Sequence, residues 1–141
     1  MASKRGIMLR LDSAGTGDWH VGSPPYGPMQ NAAAKRGYKL GDLRARKVSL
    51  DDFHDFDRIL CMDAANLSVM QRLKDSLPAT SRPARLELFT DHAPHAGADH
   101  VPDPYYTRDF DAALDLIEAC AQGLLDTMTT WTQGQAQGPS L

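Results

Sequence analysis

Residues 6–11, Gly-Ile-Met-Leu-Arg-Leu, place Ile7, Leu9 and Leu11 at alternate positions, the period of a half-buried strand. The stretch 12–27 is rich in Gly, Ser and Pro and predicts a long loop. Pro28 suits the first position of a helix, Lys35 and Arg36 suit its C-terminal dipole, and Gly37 ends it. Ser49 with Asp52 three residues on predicts one or two short helical turns. The run Arg-Ile-Leu-Cys-Met at 58–62 is apolar almost throughout, the pattern of a strand covered on both faces. Asp63 then caps a helix through about Leu73 that buries Leu67, Met70 and Leu73. A third strand is expected near 85–89. Phe110, Leu114, Ile117, Ala121, Leu124 and Met128 recur at steps of three and four, the stripe of an amphipathic helix. Beyond it, 129–141 is polar and Gly/Gln-rich and reads as a flexible tail. Strands and helices alternate, which predicts an α/β fold on a parallel sheet with ligands at the carboxyl ends of the strands.

Composition narrows this picture only a little. A chain of 141 residues is one domain, with 42% hydrophobic and 23% charged residues, as in a soluble globular protein. The net charge of −3, without a basic block, argues against a nucleic-acid partner. No apolar run is long enough to span a bilayer, and the N-terminus lacks the apolar core of a signal peptide. Cys61 and Cys120 fall inside apolar segments without metal-ligand spacing. They read as buried free thiols of a cytoplasmic protein.

Three stretches carry candidate chemistry. Asp103 stands between Pro102 and Pro104, which restrict its backbone and hold its carboxylate in one place. A general acid needs such positioning, and Tyr105 and Tyr106 could form a slot for a flat aromatic substrate. The competing reading is a turn that anchors the last helix. The loop 12–22 offers Ser13 and Trp19, yet it matches neither of the common phosphate-binding glycine patterns, so a structural turn is the default. The histidines of 91–100 have no recognisable metal-site spacing and read as a solvated loop.

Four stretches taken together resemble the low-molecular-weight protein tyrosine phosphatase family. They are DSAGTGDWHVG from residue 12, RARKVSLDDFHDFDRILCMDAANL from residue 44, LELF at 86–89 and VPDPYYTRDFDAALDLIEACAQGLL from residue 101. The similarity runs from about residue 4 to about residue 128 and implies a three-layer, doubly wound parallel sheet over a domain 1–128. It also implies hydrolysis of phosphotyrosine monoesters through a cysteinyl-phosphate intermediate, with no metal or other cofactor. Phosphotyrosine proteins or small aryl phosphates would be the substrates. By the same resemblance Asp103 protonates the leaving oxygen and later activates water. Trp19, Tyr105 and Tyr106 form the aromatic wall, and Ser13 braces the phosphate loop.

The sequence departs from the family at the nucleophile. Members carry a strand, a C-x5-R loop and a long helix before the DSAGT segment, whereas here Asp12 is the twelfth residue. Six residues after Cys61 stands Leu67, and six after Cys120 stands Asp126, so no C-x5-R occurs. Leu43 occupies the place where many members have a histidine that braces the loop. The expectation is therefore an N-terminally truncated domain, inactive as it stands, with a start upstream of Met1 as the simplest explanation. A non-catalytic phosphotyrosine-binding module is the alternative. A sheet lacking its central strand predicts a displaced 6–11 strand, a partly molten state, or pairing of copies through the open edge.

Overall fold

A computed structural model of the chain describes residues 6–17 and 21–137, with the backbone alone described at 104, 105 and 129–137. The elements are α1 (Gly27–Ala34), α2 (Asp52–Asp55), β1 (Arg58–Cys61), α3 (Ala64–Asp75), β2 (Arg85–Leu88), α4 (Pro104–Thr107) and α5 (Phe110–Gln137). Two short 3₁₀ turns, Phe89–His92 and Pro94–Ala96, follow β2.

The sheet is parallel, with Arg58 opposite Arg85 and Cys61 opposite Leu88. Alternation along β1 sends its side chains to two separate cores. Ile59 and Cys61 pack with Phe53, Met70 and Ala84 beneath α3. Leu60 packs on the opposite side with Phe89, Cys120 and Leu124. The expectation of a strand covered on both faces is met, and the layers run α3, sheet, α5. The arrangement is the α/β class that the alternation of elements predicts.

Local chemistry explains the element ends. Asp63 accepts a hydrogen bond from the Asn66 amide at 2.7 Å and so caps α3, as the sequence suggests. Met70 is buried on that helix, while Leu67 and Leu73 are half-buried. Gly37, with φ of 84°, lets the chain turn back after α1, so that Tyr38 N–H returns to the Ala33 carbonyl at 3.0 Å.

Two expectations are corrected. Residues 7–14 form no strand: Met8 is 97% and Leu11 79% exposed. The alternation is real, but a strand needs a ladder partner, and none pairs with this segment among the described residues. The last helix also runs past Met128 to Gln137. The stripe marks only the part of α5 that packs on the core. Its polar extension is built mostly of Gln, Ala and Thr, none of which stops a helix as Pro would.

Candidate active site

The loop carrying Asp103 is fixed at the carboxyl end of β1. Val101 donates its amide to the Met62 carbonyl, one residue beyond the strand, at 2.8 Å. Pro102 and Pro104 then limit the backbone on either side of Asp103. Its carbonyl accepts from the amides of Tyr106 at 3.1 Å and Thr107 at 3.2 Å, which starts the single turn of α4. Beyond α4 the chain reverses at Arg108, a non-glycine residue held at φ of 60°. The Arg108 guanidinium donates to the Tyr26 hydroxyl at 2.8 Å and lies 5.8 Å over its ring. Tyr26 in turn packs against Phe110, with ring centroids 6.2 Å apart. An uncommon backbone conformation persists where its surroundings hold it, and here the Tyr26 contacts do so.

A second segment faces this loop. The Gly15 amide donates to the Arg46 carbonyl at 2.9 Å, and the Gly15 carbonyl accepts from the Val48 amide at 2.8 Å. The Gly22 amide reaches the Ala45 carbonyl at 2.7 Å. These bonds tie both ends of the first loop to residues 45–48. Between that loop and the Asp103 turn lies a cavity of about 360 Å³, lined by Gly15, Gly17, Val21, Ala45, Arg46, Asp103 and Tyr106.

Arg46 fixes the floor of this cavity. Its guanidinium grips Asp52 in a two-pronged contact, at 3.1 and 2.9 Å, and donates through Nε to Asp12 at 3.1 Å. Asp52 is buried and also accepts from the Ser49 amide at 2.9 Å. Burial works to raise the Asp52 carboxyl, but the bonds from Arg46 and Ser49 outweigh it and hold the group below the usual carboxylate range. Asp12, bonded also to the Ser13 amide at 2.8 Å, thereby connects the start of the first loop to α2.

Asp103 and Tyr106 meet in the cavity, both exposed and both engaged in further contacts. Tyr105 lies in α4 by its backbone, and Trp19 lies outside the described residues. Ser13 is exposed and does not line the cavity. Leu43 is also exposed, beyond the lining. The sequence reading missed Arg46 and the glycine wall. Arg46 gives no local signal because its partners Asp12 and Asp52 reach it from two other segments.

Neither thiol reaches this cavity. Cys61 is 3% exposed and Cys120 is fully buried. Desolvation raises both pKa values, with nearby Asp63 adding to the effect at Cys61. Among the described residues no group of three His, Cys, Asp or Glu side chains could hold a metal ion. His92 pairs with Glu87 at 3.2 Å and His100 with Asp99 at 2.7 Å. A second cavity of about 320 Å³ opens between α1 and the start of α5. Its acids serve the fold: Asp109 accepts from the Ala112 amide at 3.0 Å, and Asp111 pairs with Arg36 at 3.3 Å.

Comparison with known proteins places this geometry. The family model for low molecular weight phosphotyrosine protein phosphatases matches residues 1–133. The low molecular weight protein-tyrosine-phosphatase YfkJ of Bacillus subtilis is 33% identical over 127 residues, 89% of this chain and 79% of that protein. The crystal structure of YfkJ superposes with a TM-score of 0.80, at 32% identity, covering 92% of this chain and 80% of that one. A low molecular weight protein-tyrosine-phosphatase of Streptomyces coelicolor is 36% identical over 135 residues, 93% of this chain and 80% of that protein. The structure of a Drosophila arginine phosphatase also matches, with a TM-score of 0.80 at 30% identity over 90% of this chain and 82% of that one. With the Asp103 turn and the glycine loop facing each other at the carboxyl end of a parallel sheet, the chain belongs to the low molecular weight phosphotyrosine protein phosphatase family.

Proposed function

We propose that these 141 residues supply the proton-donor and substrate-recognition half of a phosphate-monoester hydrolase, and that they do not turn substrate over by themselves. The cavity supports this most directly, because it joins Asp103 and Tyr106 to a glycine loop yet has no thiol in its lining. Asp103 is the proton donor to the leaving oxygen. Tyr106, with Tyr105 and Trp19, forms the wall against which an aryl ring stacks. Ser13 supports the phosphate end of the site. Phosphotyrosine proteins and small aryl phosphates are the substrates that such a slot suits. No metal or organic cofactor takes part, and two buried free thiols fit a reducing, cytoplasmic setting.

The inactivity follows from what covalent phosphoryl transfer requires. The nucleophile must be a thiolate with a lowered pKa, and the transferring group must be surrounded by donors. The chain contains no C-x5-R, and both cysteines are buried thiols with raised pKa values. Losing one member of a cooperating catalytic set removes nearly as much rate as losing all of it.

A p-nitrophenyl phosphate assay tests the proposal directly. The 141-residue chain should stay at background, and turnover surviving repeated purification would refute its inactivity. Any segment encoded in frame upstream of Met1 that contains a C-x5-R should restore activity when joined to it. In that longer chain Asp103→Ala should lower kcat by about 10²–10⁴-fold, the usual contribution of general acid catalysis. An unchanged kcat would remove Asp103 from its role. If no such segment is encoded, phosphotyrosine-peptide binding without hydrolysis is the expected behaviour, and failure to bind would count against the recognition half.

A further inference from the structure

The turn that carries Asp103 is held at both ends. At its start the Val101 amide donates to the Met62 carbonyl at 2.8 Å. At its end stands Arg108, the only non-glycine residue of positive φ among the described residues, at 60°. A long side chain is disfavoured there, and glycine would take the same backbone conformation freely. Strain of this kind collects where a side chain is held for function.

The Arg108 side chain goes to Tyr26. It donates to the phenol oxygen at 2.8 Å and lies 5.8 Å over the ring. Tyr26 is a fixed post. Its carbonyl accepts from the Gln30 amide at 3.0 Å, in the first turn of α1, and the Gln30 side chain donates to the neighbouring Pro25 carbonyl at 2.6 Å. Upstream, the Gly22 amide donates to the Ala45 carbonyl at 2.7 Å and the Ser23 carbonyl accepts from the Ala45 amide at 2.8 Å. Residues 22–26 are therefore tied down at both ends, and Val21 beside them forms part of the wall facing Asp103. Neither Arg108 nor Tyr26 lines that cavity. Their contact joins its two walls from outside.

We propose that Arg108 is a positioning residue for the Asp103 turn. Through Tyr26 it sets how far Asp103 and Tyr106 stand from the Val21 wall, and so fixes the width of the slot before an aryl phosphate enters. The proposal rests on the reading of this cavity as the aryl-phosphate site, and adds to it a residue that touches neither substrate nor reacting atoms. A single turn such as α4, four residues long, has little stability of its own. Asp103 and Tyr106 lie beside it and on it, and must keep their places for a ring to stack and a proton to reach its oxygen. A latch at the far end removes that freedom beforehand, which lessens the ordering required on binding. Phe110 also packs against Tyr26, with centroids 6.2 Å apart, and seats the start of α5 without Arg108. What Arg108 adds is a hold on the turn.

Hydrogen exchange read residue by residue on the 141-residue chain, with phosphotyrosine-peptide titration, tests it. Arg108→Gly removes the strain and the latch together. The amides of Tyr106 and Thr107, which bond to the Asp103 carbonyl, should then exchange at least about tenfold faster, while those of Gly22, Ala45 and β1 keep their rates. Tyr26→Phe keeps the ring but loses the hydroxyl, and should move the same two amides in the same direction by a smaller factor. Arg108→Lys keeps a cation for the ring and should recover part of the protection lost in the glycine variant. Peptide affinity should fall about three- to tenfold in Arg108→Gly, as when a loop must be ordered on binding. Across the three variants it should follow the order of the exchange rates. Unchanged exchange at Tyr106 and Thr107, or equally faster exchange throughout the chain, would overturn the proposal, and so would local loosening with unaltered affinity. Failure of the unaltered chain to bind peptide would instead defeat the recognition reading, and the two amides would still decide whether Arg108 holds the turn. Should Arg108→Gly not fold, Tyr26→Phe decides alone.

Discussion

Gly123 on α5 faces the backbone of His92, and a methyl group there would fall inside the van der Waals radius of the His92 carbonyl. Backbone cannot move aside as a flexible side chain can, so the helix itself would have to shift. Gly123→Ala therefore sets a small gain in helix propensity, under ~1 kcal/mol, against overpacking of about 1–3 kcal/mol or more. The net effect should be a loss of stability, read as a lower urea midpoint; a stabilised variant would show that α5 is not seated as described. Asp52 gives a second residue-level prediction. Its folded pKa lies below its unfolded value, so its contribution is present above the unfolded pKa, near 4, and disappears as pH falls through the folded one. Asp52→Asn should lower stability at pH 7 by on the order of 2–3 kcal/mol, because Arg46 loses the buried one of its two counter-charges, with only the exposed Asp12 left. It should also flatten the acid limb of the stability curve. Equal acid sensitivity in the two proteins would dismiss Asp52 as the responsible group.

Among the elements, Arg36, two residues past the end of α1, ties that end to α5. Arg36 contacts Asp111 at 3.3 Å, Asp115 at 2.9 Å and Glu118 at 2.8 Å, three acids that share a face of α5. The bond to Glu118, then that to Asp115, raises the guanidinium pKa, so the charge is constant at any working pH. Added salt should loosen this contact. Added sodium chloride, or Arg36→Gln, should speed amide exchange in α1 while leaving β1 and β2 unchanged; a uniform response would mean that α1 does not open on its own. This pairing was not legible in the sequence, where Arg36 suggests only a cation at a helix end and the acids only a solvated face. β1, β2, α3 and the packed part of α5 were legible, because continuous apolar runs, an Asp cap and a stripe at helical spacing are local signals. Residues 6–11 were misread for the opposite reason, since a strand is a property of two segments and only one of them was being read. In the candidate site, Asp103 and Tyr106 stood out by their prolines and aromatic neighbours. Gly15, Ala45 and Arg46 did not, since the fold alone brings them to that wall.

Among the described residues the molecule carries two cores, one on each face of a two-stranded sheet, with a cysteine in each. Cys61 packs with Phe53 and Met70 under α3, and Cys120 with Phe89 and Leu124 under α5. Neither thiol has an ion or donor loop to stabilise its thiolate, and burial favours the protonated form of both. Both should therefore resist a thiol-specific reagent in the native chain and react once it opens. Their relative rates report how the two cores cooperate. Leu88 packs into the first core and Leu60 into the second, across a sheet that among the described residues is two strands wide, whereas most sheets have about four to six. If the sheet transmits packing from one face to the other, the two cysteines label at the same rate, with the same denaturant dependence, through one global opening. If α5 can lift from the sheet by itself, Cys120 reacts first and with the smaller dependence, because less surface is exposed in that step. The narrow sheet and the dense packing of Phe89, Ala93, Cys120 and Leu124 favour the single opening, since removing α5 would uncover one whole face of both strands at once. Labelling followed by mass spectrometry separates the two outcomes, and early modification of Cys120 would show that the cores unfold independently.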